Sequence, residues 1–236
     1  MEPPGDLMGY DRAITLFNPD GRILQVEYAK RTVSQGFAAV GLTGKGCIVF
    51  VADRKAHELE KLVIPESIEK IFQIDVHMAA AISGMIADGR TLIDKAQNNA
   101  QEYKMTYNQP ADILLVVKGI STEMQALTQY GGARPFGVSI LFGGIKDNKT
   151  YLYMLDPSGT FFQYRAIAIG GNSDIINKTL EKEYKADMDV EELIDLGMRT
   201  IKSDESKNSP ERFEIAIVDK DGFRKLSREE ITKYIK

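Results

Sequence analysis

The side chains able to do chemistry are few and scattered. The chain has one cysteine, Cys47, and two histidines, His57 and His77. Cys47 lies in an apolar, strand-like run, residues 47–52, and reads as a buried, inert thiol rather than a reactive one. A single cysteine excludes an internal disulfide and fits an intracellular location. No Cys/His cluster surrounds the histidines, so a structural zinc site lacks ligands. Neither histidine belongs to a Ser/His/Asp motif. No glycine-rich phosphate loop of either common type is present, so nucleotide binding is unsupported.

The densest chemistry is in the leader, residues 9–29, ahead of the first plausible core strand. Tyr10, Asp11 and Arg12 offer an aromatic ring, an anion and a cation in succession. Asn18-Pro19-Asp20-Gly21 is a turn signal: Pro19 presets φ at the second position, Asn18 can bond its own backbone, and Gly21 suits the fourth. A helical pattern follows, with Ile23, Val26, Ala29 (or Lys30) and Val33 at spacings of three and four. Asp20 is placed to cap that helix. The leader therefore reads as an extended arm, a tight turn and a short amphipathic helix. The residues alone leave open whether the arm acts or is an ordinary mobile terminus.

The elements behind the leader are those of one large domain. The 236 residues can bury a substantial core, and 43% apolar with 27% charged residues is ordinary for a soluble globular protein. No apolar run approaches the ~18 residues of a membrane span, and the Pro-rich, acidic start lacks a basic-then-apolar secretion signal. A net charge of −4 argues against nucleic acid as a general partner. Strands are expected at residues 37–42, 47–52, 70–75 and 77–82. The Ala79-Ala80-Ala81 run implies closely packed layers. Two helices follow, over residues 85–107 and after Pro110, which suits a first helical position. Gly119 inside the second suggests close approach of a neighbouring helix. Strands resume at 137–145, 151–155, 161–164 and 166–169 around a second turn, Asp156-Pro157-Ser158-Gly159. Helices at 173–184 and 190–201, a polar loop at 203–210, a strand at 213–218, a turn at 219–222 and a C-terminal helix at 227–235 complete the chain. Asp189 and Ser227 are the expected caps, with Glu230 at capping-box spacing. This order suggests two stacked sheets with helix layers outside.

Several motifs in order carry a family resemblance. Tyr10-Asp11-Arg12, Pro19-Asp20-Gly21-Arg22 and Gln25-Val26-Glu27-Tyr28-Ala29 resemble the N-terminal signature of proteasome α subunits, especially the archaeal type. The likeness continues through Ser67-Ile68-Glu69-Lys70-Ile71, Ser83-Gly84-Met85-Ile86-Ala87-Asp88, the segment from Thr128 to Val138, Asp156-Pro157-Ser158-Gly159-Thr160 and Ala168-Ile169-Gly170, so it covers nearly the whole chain. It implies an α+β fold, a four-layer αββα sandwich (residues 37–236) preceded by an N-terminal gating arm and helix (residues 1–36).

The resemblance implies a non-catalytic subunit of the 20S core. Its partners are then other α subunits in a heptameric ring, the proteolytic β subunits, a proteasome-activating ATPase docking through its C-terminal tails, and unfolded proteins in transit, in the cytoplasm, with no nucleic acid, membrane or cofactor. Tyr10, Asp11 and Arg12 match the gating triplet, Pro19 the reverse-turn residue, and Tyr28 the residue that contacts that turn in the open state. Tyr28 also reads as an ordinary core-facing helix residue. Lys70 matches the lysine of an intersubunit pocket that receives the ATPase carboxylate, and Gly21, Lys30, Gly36 and Met85 match that pocket's lining. Lys30 stands where archaeal relatives commonly have arginine and so lacks the planar fork, and Met85 replaces a frequent leucine. Lys70 also reads as a solvated strand-end lysine.

The same fold implies a test for catalysis. Proteolytic β subunits begin at a threonine that supplies both nucleophile and amine. Here the corresponding stretch is Gly36-Phe37-Ala38-Ala39-Val40-Gly41, with no hydroxyl or thiol at Phe37 or Ala38. Asp53 and Lys70 fall at the acidic and lysine positions of the β-type site. Gly46-Cys47 and Gly159-Thr160 are the remaining glycine–nucleophile pairs, and both suit loop-to-strand transitions better than cleavage sites. A self-processing hydrolase of the same fold is the alternative reading.

Overall fold

The structure is a computed structural model that describes residues 15–54, 62–64, 67–202 and 209–235. In chain order its elements are α1 (Leu24–Gln35), β1 (Ala39–Gly44), β2 (Cys47–Asp53), β3 (Ile71–Asp75), β4 (Met78–Gly84), α2 (Ile86–Tyr107), α3 (Ile113–Leu127), β5 (Val138–Lys146), β6 (Lys149–Leu155), β7 (Phe161–Tyr164), β8 (Ala166–Ile169), α4 (Ser173–Glu183), α5 (Val190–Ile201), β9 (Phe213–Asp219), β10 (Gly222–Lys225) and α6 (Arg228–Thr232). The strands form two five-stranded sheets, ordered β10-β9-β2-β1-β8 and β3-β4-β5-β6-β7. Every pairing in both is antiparallel.

Strand periodicity sorts the core into three layers. On β2, Ile48, Phe50 and Ala52 point between the sheets, while Cys47, Val49 and Val51 point to the helices. On β4, Ala79 and Ala81 point between the sheets, and Met78, Ala80 and Ile82 pack towards α2 and α3. Both faces of the central strands are therefore buried, which is why they read as continuous apolar runs instead of alternating ones. The small residues let the sheets approach: a Cβ on Gly143 would lie 2.6 Å from the Phe50 ring. The outer layers are α2 with α3, and α4 and α5 with α6, which gives the αββα sandwich. Helix α1 packs across β4 and β5 through Val26, Ala29 and Val33.

Local signals explain most boundaries. Asp189 and Ser227 each form a complete capping box, with Glu192 and Glu230. A Cβ on Gly119 would meet Asn99 of α2 at 3.0 Å, so the close helix approach is real. Other expectations are corrected. Asp20 does not cap α1: Ile23 is the N-cap residue, without a side-chain cap. Pro110 is not at the first position of α3, because Asp112 caps that helix through Leu114 N. Strands β1 and β3 start later than residues 37 and 70: the Phe37 carbonyl accepts from the Lys70 and Ser83 side chains, and the Lys70 amide donates to Glu214. Strand β10 extends what reads as a turn alone; its exposed Arg224 and Lys225 hide the apolar alternation of a strand. Most of the expected polar loop at 203–210 lies outside the described residues.

Candidate functional site

Lys70 is the least expected side chain in the molecule. It is only 3% exposed, not a solvated strand-end lysine. Its ammonium donates to the carbonyls of Phe37 at 2.5 Å, Ala38 at 3.3 Å and Asp53 at 3.2 Å. The pairing of β1 with β2 brings those carbonyls together: Ala39 faces Ala52, and Asp53 N donates to Ala38 O at 3.0 Å. Burial pulls the Lys70 pKa down to about 7, against the opposing pull of the Asp53 and Glu214 charges. Glu214 secures the backbone at the same point. Its Oε2 accepts from the amides of Lys70 at 2.9 Å and Ile71 at 3.4 Å and from Arg54 Nε at 3.3 Å. Its Oε1 faces the Lys225 ammonium at 2.7 Å as an ion pair without aligned hydrogen-bond geometry.

Lys70 borders a cavity of about 280 Å³ that opens beside the end of α1. Gly36, Phe37, Ser83, Met85 and Ile86 line it with Lys70, and most of the surface is apolar. Three of the five expected pocket residues, Gly36, Lys70 and Met85, thus meet in one place. Gly36 is required by close approach, since a Cβ there would lie 2.5 Å from Gly84 N. Gly21 and Lys30 do not line this cavity within one chain. Lys30 lies on the exposed side of α1 and pairs with Asp156 at 3.3 Å and Glu27 at 3.8 Å.

The turn before α1 is a miniature hairpin. Phe17 bridges Ile23, Asn18 N donates to Arg22 O at 2.8 Å, and Gly21 N closes the turn on Asn18 O at 2.9 Å. Asn18 Oδ1 accepts from Arg22 N, four residues on, at 2.8 Å. Gly21 has φ +76°, where a Cβ is strained. Pro19 is exposed at the turn's second position. Tyr28 is 41% exposed, so it is not a core tyrosine, and it shares a groove with Asn18, Asp20 and Lys30. Tyr10, Asp11 and Arg12 lie outside the described residues, as does His57.

The family described as proteasome subunit matches residues 33–218, and the N-terminal signature of A-type proteasome subunits matches residues 10–31. An alpha subunit of the proteasome from Pyrococcus horikoshii is 46% identical over 230 residues, covering 96% of this chain and 87% of that protein. Those of Methanosarcina acetivorans and Methanocaldococcus jannaschii are 42% identical over 231 residues and 44% identical over 237. The first alignment covers 97% of this chain and 93% of its relative; the second covers 100% and 89%. The chain belongs to the proteasome subunit family, as an alpha subunit.

For an alpha subunit the chemistry at the head of β1 is informative. Phe37 continues the chain from Gly36 and α1, so its backbone nitrogen is an amide and its side chain carries no hydroxyl at the head of β1. The carboxylate of Asp53 is gripped by Arg212, Oδ1 by Nε at 3.1 Å and Oδ2 by Nη2 at 2.8 Å, with both residues buried. Asp53 and Lys70 lie together in a buried network, where the Lys70 ammonium donates to the Asp53 carbonyl at 3.2 Å. Cys47 and Thr160 adjoin turn glycines with φ +72° and +81°, as expected of loop-to-strand transitions. Burial pushes the Cys47 thiol up to about 11, and the residue is inert packing. His77 Nε2 lies 2.9 Å from Ala111 O, a structural contact. No group of metal-binding side chains forms among the described residues.

Sequence reasoning passed over three residues of the site. Ser83 donates to Phe37 O at 2.7 Å. Asp88, in the first turn of α2, takes both guanidinium nitrogens of Arg134 at 2.6 and 2.8 Å and the Gly137 amide at 2.8 Å. Arg134 Nη2 also reaches Met85 Sδ at 3.3 Å, which ties the cavity rim to the loop before β5. All three stand in segments that carry the family resemblance, and an acid in a helix's first turn with an arginine before a proline was the available signal.

Proposed function

We propose that this alpha subunit joins six others in the heptameric outer ring of a 20S proteasome core in the cytoplasm, a complex whose threonine protease activity resides in its β subunits. There it gates access to the proteolytic chamber and docks a regulatory ATPase. The observation that carries the docking assignment is the cavity where the buried Lys70 ammonium meets an apolar lining that includes Met85 and Gly36. A tail carboxylate in such a site forms a charge-assisted contact in a weakly screened setting. Lys30 and Gly21 complete the pocket across a subunit boundary. Residues 1–36 are the gating arm and helix, and residues 37–236 the sandwich. Tyr10, Asp11 and Arg12 form the gate's contacts between neighbouring arms, Pro19 sets where the arm leaves the body, and Tyr28 steadies the turn from the groove it shares with Asn18. Support for this part is the signature match over residues 10–31 and the hairpin geometry. No described helix is long and apolar enough to cross a membrane.

The test is reconstitution with an activating ATPase and a candidate β subunit. Lys70→Ala removes ATPase-stimulated protein degradation and leaves small-peptide cleavage by the core intact. Because Lys70 also satisfies buried carbonyls, the complementary arm keeps this chain unchanged and amidates the ATPase C-terminus, which has the same effect. Full stimulation in both arms would overturn the docking assignment.

A further inference from the structure

The two sheets have four outer strands, β10, β8, β3 and β7, and the first three are guarded. On β8, Asn177 of α4 accepts from the Ala168 amide at 2.8 Å and donates to the Ala168 carbonyl at 3.4 Å, in the place of a next strand. On β3, Gln97 of α2 donates to Gln73 O at 2.7 Å, and a register shift between Gln73 and Asp75 breaks the ladder. On β10, Arg224 and Lys225 pair with Glu230 and Glu69. Caps, bulges and charges of this kind keep an edge from pairing with another chain. Strand β7, Phe-Phe-Gln-Tyr, has none of them. It is uncharged, its register with β6 is unbroken, and among the described residues no side chain bonds its main chain. Phe162 on it is 61% exposed. The next residue along, Arg165, is exposed, and among the described residues its guanidinium has no ion-pair partner.

The opposite side of the sandwich carries the complement. Strands β9 and β10 lie over β3 and β4, and β1 lies over β5 and β6, so β7 and β8 edge one side and β3 and β10 the other. On the approach to β3, Leu62 is 95% exposed and Ile64 67%. The segment is tied down behind them: Ser67 bonds Ile64 O through its hydroxyl at 2.6 Å and its amide at 3.0 Å, and Arg90 of α2 donates to Ser67 O at 3.2 Å. Its flanking sequence is acidic, with Glu58, Glu60 and Glu66 against Lys61. A head-to-tail ring joins one side of each copy to the other side of the next, whereas β7 against β7 would close at a pair. Resting on the ring reading above, we propose that Leu62, Val63 and Ile64 of one copy cover the open β7 edge of its neighbour, packing on Phe162, with Arg165 facing the acidic flank.

The test cross-links the full chain, expressed alone, with a short bismaleimide. Cys47 is buried and its thiol stays protonated, so only introduced cysteines react. A chain with both Val63→Cys and Gln163→Cys gives a ladder on a denaturing gel that rises to the heptamer. The two single variants assembled together give linked pairs and nothing longer, and each alone gives no link. Self-linking of Gln163→Cys alone would place β7 against β7 and overturn the proposal, as would intact rings of the double variant that never link. Phe162→Glu carries the test if the double variant fails to assemble. It leaves thermal unfolding of the subunit unchanged and raises the concentration at which rings half-dissociate by about tenfold or more; unchanged ring stability overturns the contact. An unsubstituted chain that forms no ring overturns the ring reading itself, whereas a ring without these links overturns this contact alone.

Discussion

Arg212 holds both carboxylate oxygens of Asp53, at 3.1 and 2.8 Å, with both side chains almost wholly buried. This pair is a structural tie between the end of β2 and the segment entering β9. Removing one partner leaves a buried charge alone. Arg212→Met is expected to destabilise the subunit by about 3–5 kcal/mol, and Asp53→Leu in the same chain to restore much of that. Urea unfolding of the single and double variants checks it; a single-variant loss within about 0.5 kcal/mol contradicts the tie.

The Asp88–Arg134 clamp gives a prediction in pH. The Arg134 hydrogen bonds, joined by the Gly137 amide, hold the Asp88 carboxyl below its usual range against the effect of burial. A carboxyl depressed in the folded state adds stability above its unfolded pKa of about 4, and that stability is lost as pH falls through the folded value. Asp88→Asn is expected to cost about 2 kcal/mol at neutral pH, with the gap to the parent chain closing below about pH 4. A gap independent of pH would show that Asp88 acts by shape alone.

Much of this fold was legible because its signals are local. The doubly buried strands β1, β2, β4 and β5 read as apolar runs, and Asp189 and Ser227 announce their helices by side chains three residues from their partners. The site was less legible. The position and type of Lys70 marked it, but its burial depends on carbonyls of Phe37, Ala38 and Asp53, which lie 33, 32 and 17 residues away and converge only when β1 pairs β2. Ser83 and Arg134 likewise act on partners 46 residues distant. Asp20 misled because the turn satisfies its amides through Asn18, leaving α1 to start beyond the reach of that cap.

Lys70 also predicts how docking responds to pH. Its ammonium titrates near 7 when the cavity is free, because burial outweighs the Asp53 and Glu214 charges, which are themselves paired with Arg212, Arg54 and Lys225. A docked carboxylate favours the charged form, so the bound state holds more protons than the free state above pH 7. Affinity for the ATPase's C-terminal tail, with its free carboxylate, is therefore full below about 7 and falls as pH rises, by at most about tenfold per unit. An affinity that stays level from pH 6 to 9 contradicts this.

The leader predicts a graded effect on gating. Removing residues 1–13 is expected to speed hydrolysis of peptides whose rate is limited by passage through the pore. Gly21→Ala forces a Cβ into the left-handed region at φ +76°, at about 1–2 kcal/mol, and among the described residues, its chain neighbours aside, no atom lies within 4 Å of the new methyl. It therefore loosens the turn without disturbing the body, and should speed the same reaction less than the deletion does. Unchanged rates in both variants would remove the gate from this segment.

The most direct measurement is the native mass of the chain expressed alone and together with a candidate β subunit. The account predicts a heptameric ring, or a stacked barrel that gains peptidase activity when β is present. A stable monomer that never joins β would contradict it.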